Sequence, residues 1–306
     1  MIEKKKAYIA ALTYAIIIGL SFMFVKVALT ITTPFDALAH RFTIAFVGVT
    51  TLKVLTKKAL KVTKKDIAII ALLAILYPTL FFAFQVFGLV NVSSSEAGII
   101  QATIPIFTLI FASIFLKETS TFGQKVAIIF SVVGVIYIMY MNDIENKNTS
   151  LLGTGLILLS ALVSSLYNVC ARNLTQRYSL FTITYIMTLF GFIIFNGLAL
   201  TNHLMNNTIH QFMKPFVHLD FVIAIVYLGL LSSLVTSYLS NYALSIIEAS
   251  KMSVFSNFAT LITILAGVIF LKEQFHLYHL VGAIIIIAGV IGTNCFGTKG
   301  KHSKKA

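Results

Sequence analysis

The sequence predicts an all-α membrane protein with ten transmembrane helices, arranged as two inverted five-helix repeats. Composition, the length of the apolar runs and an internal duplication carry this prediction. Of the 306 residues, 58% are hydrophobic and only 11% are charged, whereas soluble domains carry about 25% charged residues. Because so few charged side chains cannot cover a water-soluble fold of this length, lipid must surround most of the chain.

Ten apolar runs are long enough to cross a bilayer, which takes about 20 helical residues. Their length and even apolar content are typical of helices and do not match the alternating strands of about 10 residues in a membrane barrel. The predicted spans cover approximately residues 7–31, 35–56, 66–90, 96–117, 122–141, 150–171, 180–201, 220–243, 250–271 and 277–297.

Charged residues lie mainly at the ends of these spans. With the amino terminus in the cytoplasm, 18 of the 23 Lys and Arg fall on the cytoplasmic side. In chain order these are Lys4 to Lys6, six lysines from Lys53 to Lys65, Lys117, Lys125, Arg172, Arg177, Lys251 and the four tail lysines from Lys299 to Lys305. Only Lys147, Lys214 and Lys272 fall outside. The positive-inside rule therefore predicts that both termini are cytoplasmic.

The same distribution accounts for the net charge of +13. On a soluble protein this charge would suggest nucleic acid, but here the lysines match anchoring at the cytoplasmic face of a bilayer. We therefore expect the partners to be a lipid bilayer and a small-molecule substrate, with no nucleic acid. The lack of organelle signals favours a bacterial plasma membrane as the location.

An internal repeat relates the two halves of the chain. A shift of 155 residues superposes 87–138 on 242–293 without a gap, with 13 of 52 pairs identical. The identities come in blocks: Ile114–Glu118 repeats as Ile269–Glu273, and Gly134–Ile136 repeats as Gly289–Ile291. Five spans in each copy force the second copy to enter the membrane inverted, an arrangement found in transporters that work by alternating access. The predicted units are a first repeat at 1–145, a second repeat at 146–298 and a basic cytoplasmic tail at 299–306.

The best-defined motif lies around the fourth span. The stretch Glu96–Phe107, followed by Leu116–Glu118 and Gly134-Val135, resembles the EamA family of the drug/metabolite transporter superfamily, and Lys26 and Arg41 agree with it. The resemblance covers almost the whole chain as two five-helix units. One departure is Thr260, which stands at the position equivalent to Pro105. The resemblance implies an inner-membrane or plasma-membrane exporter of amino acids, other small metabolites or toxic compounds.

Uncharged polar and aromatic residues recur at equivalent places in four spans. We predict that they bind the substrate, since such groups suit small zwitterionic or amphipathic solutes. Hydrogen bonding between packed spans is the alternative for each one. The predicted residues are Tyr77, Phe81, Gln85, Gln101, Thr108, Ser232, Thr236, Ser256, Asn257 and Thr263. Pro78 and Pro105 each remove a helix hydrogen bond, which predicts kinks or gates at these positions.

Two ionisable residues, Lys26 and Arg41, lie well inside predicted spans. Burying a charge in hydrocarbon is costly, so such residues are functional candidates. We predict a positive vestibule in the outer part of the membrane that attracts a carboxylate or phosphate. The alternative is that Lys26 extends outward to water and that Arg41 pairs with Asp36 or with backbone carbonyls.

The sequence provides little support for a metal site, a disulfide or an enzymatic activity. Glu118 and Glu273 are expected to cap the following helix or to neutralise the neighbouring lysine. Two distant cysteines and three widely spaced histidines in the loop Asn202–Leu219 predict no disulfide and no metal site. The sequence contains no P-loop, H-E-x-x-H or G-x-S-x-G motif, so we expect a transporter that is not an enzyme and has no cofactor. A non-transporting membrane receptor or structural protein is the alternative.

Overall fold

The computed structural model of the chain describes residues 2–57, 60, 62–115, 121–145, 151–253 and 255–296. Over these residues the regular secondary structure is entirely helical. The long helices are α1 (Ile2–Leu29), α2 (Pro34–Thr56), α3 (Lys64–Leu89), α4 (Ser94–Phe115), α5 (Phe122–Glu145), α6 (Leu151–Thr175), α7 (Leu180–Asn206), α8 (Leu219–Ile246), α9 (Phe255–Phe270) and α10 (Leu277–Cys295). Short helical turns cover Ile209–Gln211, Lys214–Val217 and Ala249–Ser253.

Within the described ranges, seven helices, α1 to α4 and α6 to α8, are long and apolar enough to cross a membrane. The other three long helices contain shorter apolar stretches, at Lys125–Ile138, Phe255–Phe270 and Leu277–Gly289. The predicted all-helical membrane class is confirmed at this level. The count of ten spans and their inverted arrangement stay predictions. The predicted tail at 299–306 and the Lys117-Glu118 pair lie outside the described residues.

Hydroxyl caps start several of the helices. The side chains of Thr33, Thr63, Ser93 and Ser179 each accept the backbone N–H of the third residue beyond, at 3.0 to 3.3 Å. Such a cap satisfies one of the four N–H groups that a helix start leaves without a partner. The starts of α2, α3, α4 and α7 are thus set by local sequence.

Three of the spans are interrupted near their middle. The backbone of α3 changes to a π-helix over Ile75–Leu80, and Tyr77 leaves the helical region with φ −136° and ψ 117°. The cause is Pro78, which has no N–H to donate and disturbs the preceding turn. A π-helical segment also occupies Tyr227–Val235 in α8. In α4, Ala102 and Thr103 form a turn, and the helix resumes at Ile104, one residue before Pro105.

Helix packing follows a small set of pairs. Helix α5 packs on α10, α2 packs on α7 and on the π-helical part of α8, and α1 packs on α8 and α9. Helix α6 contacts both α3 and α4, and the first half of α4 contacts α9. The buried core joins residues of α1 to α4 and α6 to α9. Large apolar side chains such as Val54, Leu55 and Leu72 remain exposed on the outside, as expected for helices that face lipid.

Candidate functional site

A narrow cavity of about 20 Å³, with room for about one water molecule, lies between α1, α3, α4, α6 and α9. Half of the residues predicted to bind substrate line it: Phe81, Gln85, Gln101, Ser256 and Thr263. The rest of the wall comes from Tyr14, Ile18, Phe22, Gly98, Ile104, Ser164, Ala259 and Thr260. The cavity therefore combines amide and hydroxyl groups with aromatic faces, a composition suited to small polar or amphipathic ligands.

The polar groups of this wall differ in what they bind. The Thr263 hydroxyl donates to the Gly19 carbonyl at 2.9 Å, and the Thr260 hydroxyl donates to the Gly98 carbonyl at 2.8 Å. The Gln101 amide donates to the Ser160 hydroxyl. In contrast, the Gln85 side chain is 1% exposed and its Oε1 atom has no hydrogen-bond partner. A buried acceptor of this kind is available to a ligand donor.

The other residues that were predicted to bind substrate do not line this cavity. Thr108 and Thr236 are buried, and their hydroxyls donate to carbonyls one turn earlier in their own helices. Asn257 does not line the cavity, and its Oδ1 atom has no partner. Tyr77 lines a second, smaller cavity and stacks on Tyr167, with 4.8 Å between ring centres.

Lys26 and Arg41, predicted to share one vestibule, contact different helices. The Lys26 ammonium donates to the backbone carbonyl of Leu89, at the last turn of α3, with a distance of 2.8 Å. Arg41 is 1% exposed and donates to Ser232 and Ser233 in the π-helical segment of α8. Pro78 lines the second cavity beside Arg41's partner Ser233, and Pro105 is buried in α4.

A carboxylate from a distant part of the chain caps the start of α4. Glu273 follows α9 and accepts hydrogen bonds from the backbone N–H groups of Ser94 and Ser95, at 2.7 and 3.0 Å, and from the Ser95 hydroxyl at 2.7 Å. Glu273 thus caps α4 rather than the helix that follows it. A negative charge at this position also complements the positive end of the helix dipole. Nearby, the Thr154 hydroxyl donates to Glu96.

Basic and aromatic groups in the carboxyl-terminal part of α6 bind the end of α8. Arg172 donates to the backbone carbonyls of Leu244 and Ile247, at the end of α8. One turn earlier, the Tyr167 hydroxyl donates to the Asn241 side chain at 2.7 Å. Hydrogen bonds therefore join α6 to neighbouring helices near both of its ends.

Sequence reasoning missed the contributions of α1 and α6 to the cavity. Tyr14 and Ser164 lie in long apolar runs where a single polar residue is common. The alignment of the two halves covered only 87–138 and 242–293, so it provided no matching partner for either residue. A usable signal was the group of serines at 160, 164 and 165, which lies on one face of α6 because the spacing is close to one helical turn.

The comparison with protein families decides the identity. A model described as the EamA-like transporter family matches residues 5–140 and 151–295. The chain belongs to this EamA-like transporter family. The chain is 53% identical over 292 residues to the uncharacterized transporter YcxC of Bacillus subtilis (strain 168), covering 95% of this chain and 94% of that relative. An uncharacterized transporter of Archaeoglobus fulgidus is 26% identical over 291 residues, which cover 94% of this chain and 97% of that relative.

A solved structure shares the fold. A crystal structure of a protein with 15% sequence identity matches with a TM-score of 0.67, over 97% of this chain and all of that chain. Together with the apolar helices, membership of the EamA-like family makes this chain a multi-pass membrane transporter. A lipid bilayer and a small-molecule substrate are therefore its partners.

Proposed function

We propose that the chain is a secondary transporter of the plasma membrane that exports amino acids or other small metabolites by alternating access. The cavity between α1, α3, α4, α6 and α9 is the observation that carries this proposal. Its wall offers the free amide oxygen of Gln85 beside Phe81 and several hydroxyls, so it suits a solute that has a donor group and an apolar part. Its narrowness fits a closed state, in which the side chains must separate to admit a solute.

The pattern of helix contacts supports two equivalent halves. Exchanging α1 with α6, α3 with α8 and α4 with α9 turns the packing of α1 on α9 and α8 into the packing of α6 on α4 and α3. The pairs α2–α7 and α5–α10 are unchanged by the same exchange. A shift of 155 residues also takes the π-helix at 75–80 onto 230–235, inside the π-helix of α8. Two such halves can exchange conformations and open the site to either side in turn.

The proposed direction of transport and the proposed membrane location are supported by the sequence. The excess of Lys and Arg on one side supports cytoplasmic termini. Export of amino acids or related metabolites is what the family resemblance implies. No P-loop occurs in the sequence, which favours transport driven by a gradient over transport driven by ATP.

Solute flux in proteoliposomes tests the proposal. Purified protein is reconstituted into vesicles loaded with a mixture of radiolabelled amino acids, and efflux is followed with and without a pH gradient. We expect efflux above that of protein-free vesicles, and a slower rate for Gln85→Leu. Binding of amino acids without flux would instead favour a receptor. A metabolite comparison of cells with and without the protein then narrows the substrate.

A further inference from the structure

The π-helical break in α8 releases one backbone carbonyl from the regular pattern of helix hydrogen bonds. In a regular α-helix the N–H of Thr236 would donate to the carbonyl of Ser232, four residues earlier. Here it donates to the carbonyls of Leu231 and Ser233 instead. Two side chains reach the Ser232 carbonyl in its place: the Thr236 hydroxyl at 2.6 Å and the Arg41 Nη2 atom at 3.3 Å. Arg41, from α2, therefore binds an acceptor that the break exposes.

Arg41 holds the same segment by two further hydrogen bonds. Its Nε atom donates to the Ser233 hydroxyl at 2.7 Å, and its Nη2 atom donates to the Ser232 hydroxyl at 2.9 Å. The side chain is buried, and hydrogen bonds from a charged donor are stronger than neutral ones, especially away from water. The Cζ atom also lies 3.8 Å from the centre of the Phe82 ring, which follows the break in α3. Arg41 thus contacts both interrupted helices next to their breaks.

The break in α3 has the same hydrogen-bond pattern at equivalent positions. The N–H of Phe81 donates to the carbonyls of Leu76 and Pro78 and not to that of Tyr77. The repeat shift of 155 residues takes these four positions onto Leu231, Ser232, Ser233 and Thr236. Pro78 accounts for the break in α3, because it has no N–H to donate, whereas α8 has Ser233 at the matching position. Contacts other than those of a proline must therefore maintain the break in α8.

We propose that Arg41 is a positioning residue that maintains the break in α8, and that transport requires this break. The inference rests on the proposed alternating access and adds a residue on which that motion depends. Without Arg41, α8 would return to a regular α-helix, and the extra residue of the π-helical turn would be absorbed. Residues after the break would then rotate by about 100° relative to those before it, because an α-helix turns by that angle per residue.

The second, smaller cavity shows which contacts this rotation would change. Tyr77 and Pro78 from the break in α3 line it together with Ser233 and Ser237 of α8 and Thr188 of α7. Ser237 follows the break, so its direction depends on the π-helical turn. A proline cannot regain its missing N–H, but the hydrogen bonds of Arg41 can form and break. The two halves therefore have unequal hinges: a permanent one in α3 and a reversible one in α8.

Disulfide cross-linking in the full chain without its native cysteines tests this role. Thr188→Cys with Ser237→Cys joins α7 to the part of α8 that follows the break, and both positions line the second cavity. Phe24→Cys with Tyr227→Cys is the control pair before the break, where the two rings stack with 4.2 Å between their centres. Arg41→Met should slow cross-linking of the first pair about tenfold, since lost hydrogen bonds from a charged donor shift the population of the broken helix by about that factor. The control pair should cross-link at the same rate with and without Arg41→Met.

Two further variants complete the test. Thr43→Val is the matched control on α2, because the Thr43 hydroxyl donates to Ala39 and Asn196 and not to the break; it should leave both rates unchanged. Ser233→Ala removes the acceptor of the shortest Arg41 bond and is the second variant if Arg41→Met does not fold. It should slow the first pair in the same direction, and adding it to Arg41→Met should have no further effect, because both changes act on one contact.

Several results would overturn the inference: no cross-link of the first pair in the parent, an unchanged rate for this pair in folded Arg41→Met, or equal slowing of both pairs. Solute flux in proteoliposomes, which Arg41→Met should lower, is measured in parallel. Normal flux together with a slower first pair would show that transport does not require the break. Failure of the transport function gives a different result, since the parent would then show no flux while Arg41→Met still changed the cross-linking.

Discussion

Lys26 in α1 donates a hydrogen bond of 2.8 Å to the backbone carbonyl of Leu89, at the last turn of α3. A matching contact joins α6 and α8, where Arg172 donates to the carbonyl of Leu244 at 2.9 Å. Leu89 and Leu244 are identical residues separated by the repeat shift of 155. A basic side chain therefore binds the carboxyl end of the third helix in each predicted repeat, where the helix dipole is negative.

We predict that these two contacts are clamps for opposite ends of the pathway. Removing Lys26 by Lys26→Met should favour opening to the outside, and Arg172→Met should favour opening to the cytoplasm. Loss of one hydrogen bond from a charged donor should shift the population about tenfold. The measurement is the rate at which an impermeant thiol reagent modifies Ser256→Cys in the cavity wall, after Cys170 and Cys295 have been replaced by serine.

Reagent added to right-side-out and inside-out vesicles separates the two effects. Lys26→Met should raise labelling from the outside only, and Arg172→Met should raise labelling from the cytoplasmic side only. Equal effects of both variants on the same side would rule out clamps at opposite ends. Tyr8→Phe controls for differences between vesicle preparations, because the Tyr8 ring is exposed and does not line either cavity. Its labelling rate should equal that of the parent protein from both sides.

A second prediction concerns the carboxylate cap on α4. Glu273→Gln keeps the shape of the side chain but removes the charge and one strong acceptor for Ser94 and Ser95. We expect outside labelling of the same cavity cysteine to rise, as in Lys26→Met. Gly267→Ala should act in the same direction, since a Cβ there would collide with Glu273 and with both serine hydroxyls.

Gly155→Ala is the matched control for this cap, because a Cβ at Gly155 meets no atom within 4 Å. Its labelling rate should equal that of the parent protein. If Gly267→Ala and Glu273→Gln leave the rate unchanged as well, the cap stabilises α4 without closing the pathway.

Local properties of the chain account for what sequence reasoning predicted. The helical membrane class follows from apolar runs and rare charges, which do not depend on tertiary contacts. Gln85 and Gln101 were predicted because polar residues recur at equivalent places in the two halves of the sequence, a pattern that is visible without knowledge of tertiary contacts. Partners far apart in the chain were not predictable in this way. Ser94 and Glu273 are 179 residues apart, and no local pattern indicates that one caps the helix of the other.

Arg41 illustrates the same limit. Arg41 was a candidate functional residue because it lies within a predicted span. Its predicted position, in the outer part of the membrane, came from counting residues along that helix. The structure connects Arg41 to Ser232 and Ser233, about 190 residues away, in the π-helical segment of α8. Such a backbone irregularity has no proline of its own in α8, so the sequence contains no local signal for it.

A third prediction separates residues that line the cavity from buried residues that do not. Gln85→Leu should lower the rate of solute flux at least about tenfold, since the free acceptor that faces the cavity is lost. Thr108→Val should retain near-normal flux, because the Thr108 hydroxyl binds the Ile104 carbonyl in its own helix and does not line the cavity. Flux in proteoliposomes, normalised to the amount of monodisperse protein, is the measurement. Equal losses in both variants would contradict a role specific to the cavity.

The last prediction concerns the close contact between α1 and α9 at the cavity wall. A Cβ added at Gly19 would lie 2.7 Å from the Ala259 carbonyl oxygen and 2.7 Å from the Ile262 Cβ atom. Both are parts of a packed helix that cannot move aside freely, so Gly19→Ala should cost about 1–3 kcal/mol. The Thr263 hydroxyl that donates to the Gly19 carbonyl should lose this contact as the helices separate.

The expected result is a lower temperature at which the purified protein loses its monodisperse peak in size-exclusion chromatography after heating. Gly197→Ala is the control, because a Cβ at Gly197 meets nothing within 4 Å, and alanine is the better helix former by about 1 kcal/mol. Gly197→Ala should therefore match or exceed the parent in stability. A Gly19→Ala protein as stable as the parent would mean that α1 and α9 can move apart freely at this point. The close packing of these two helices would then not limit the opening of the cavity.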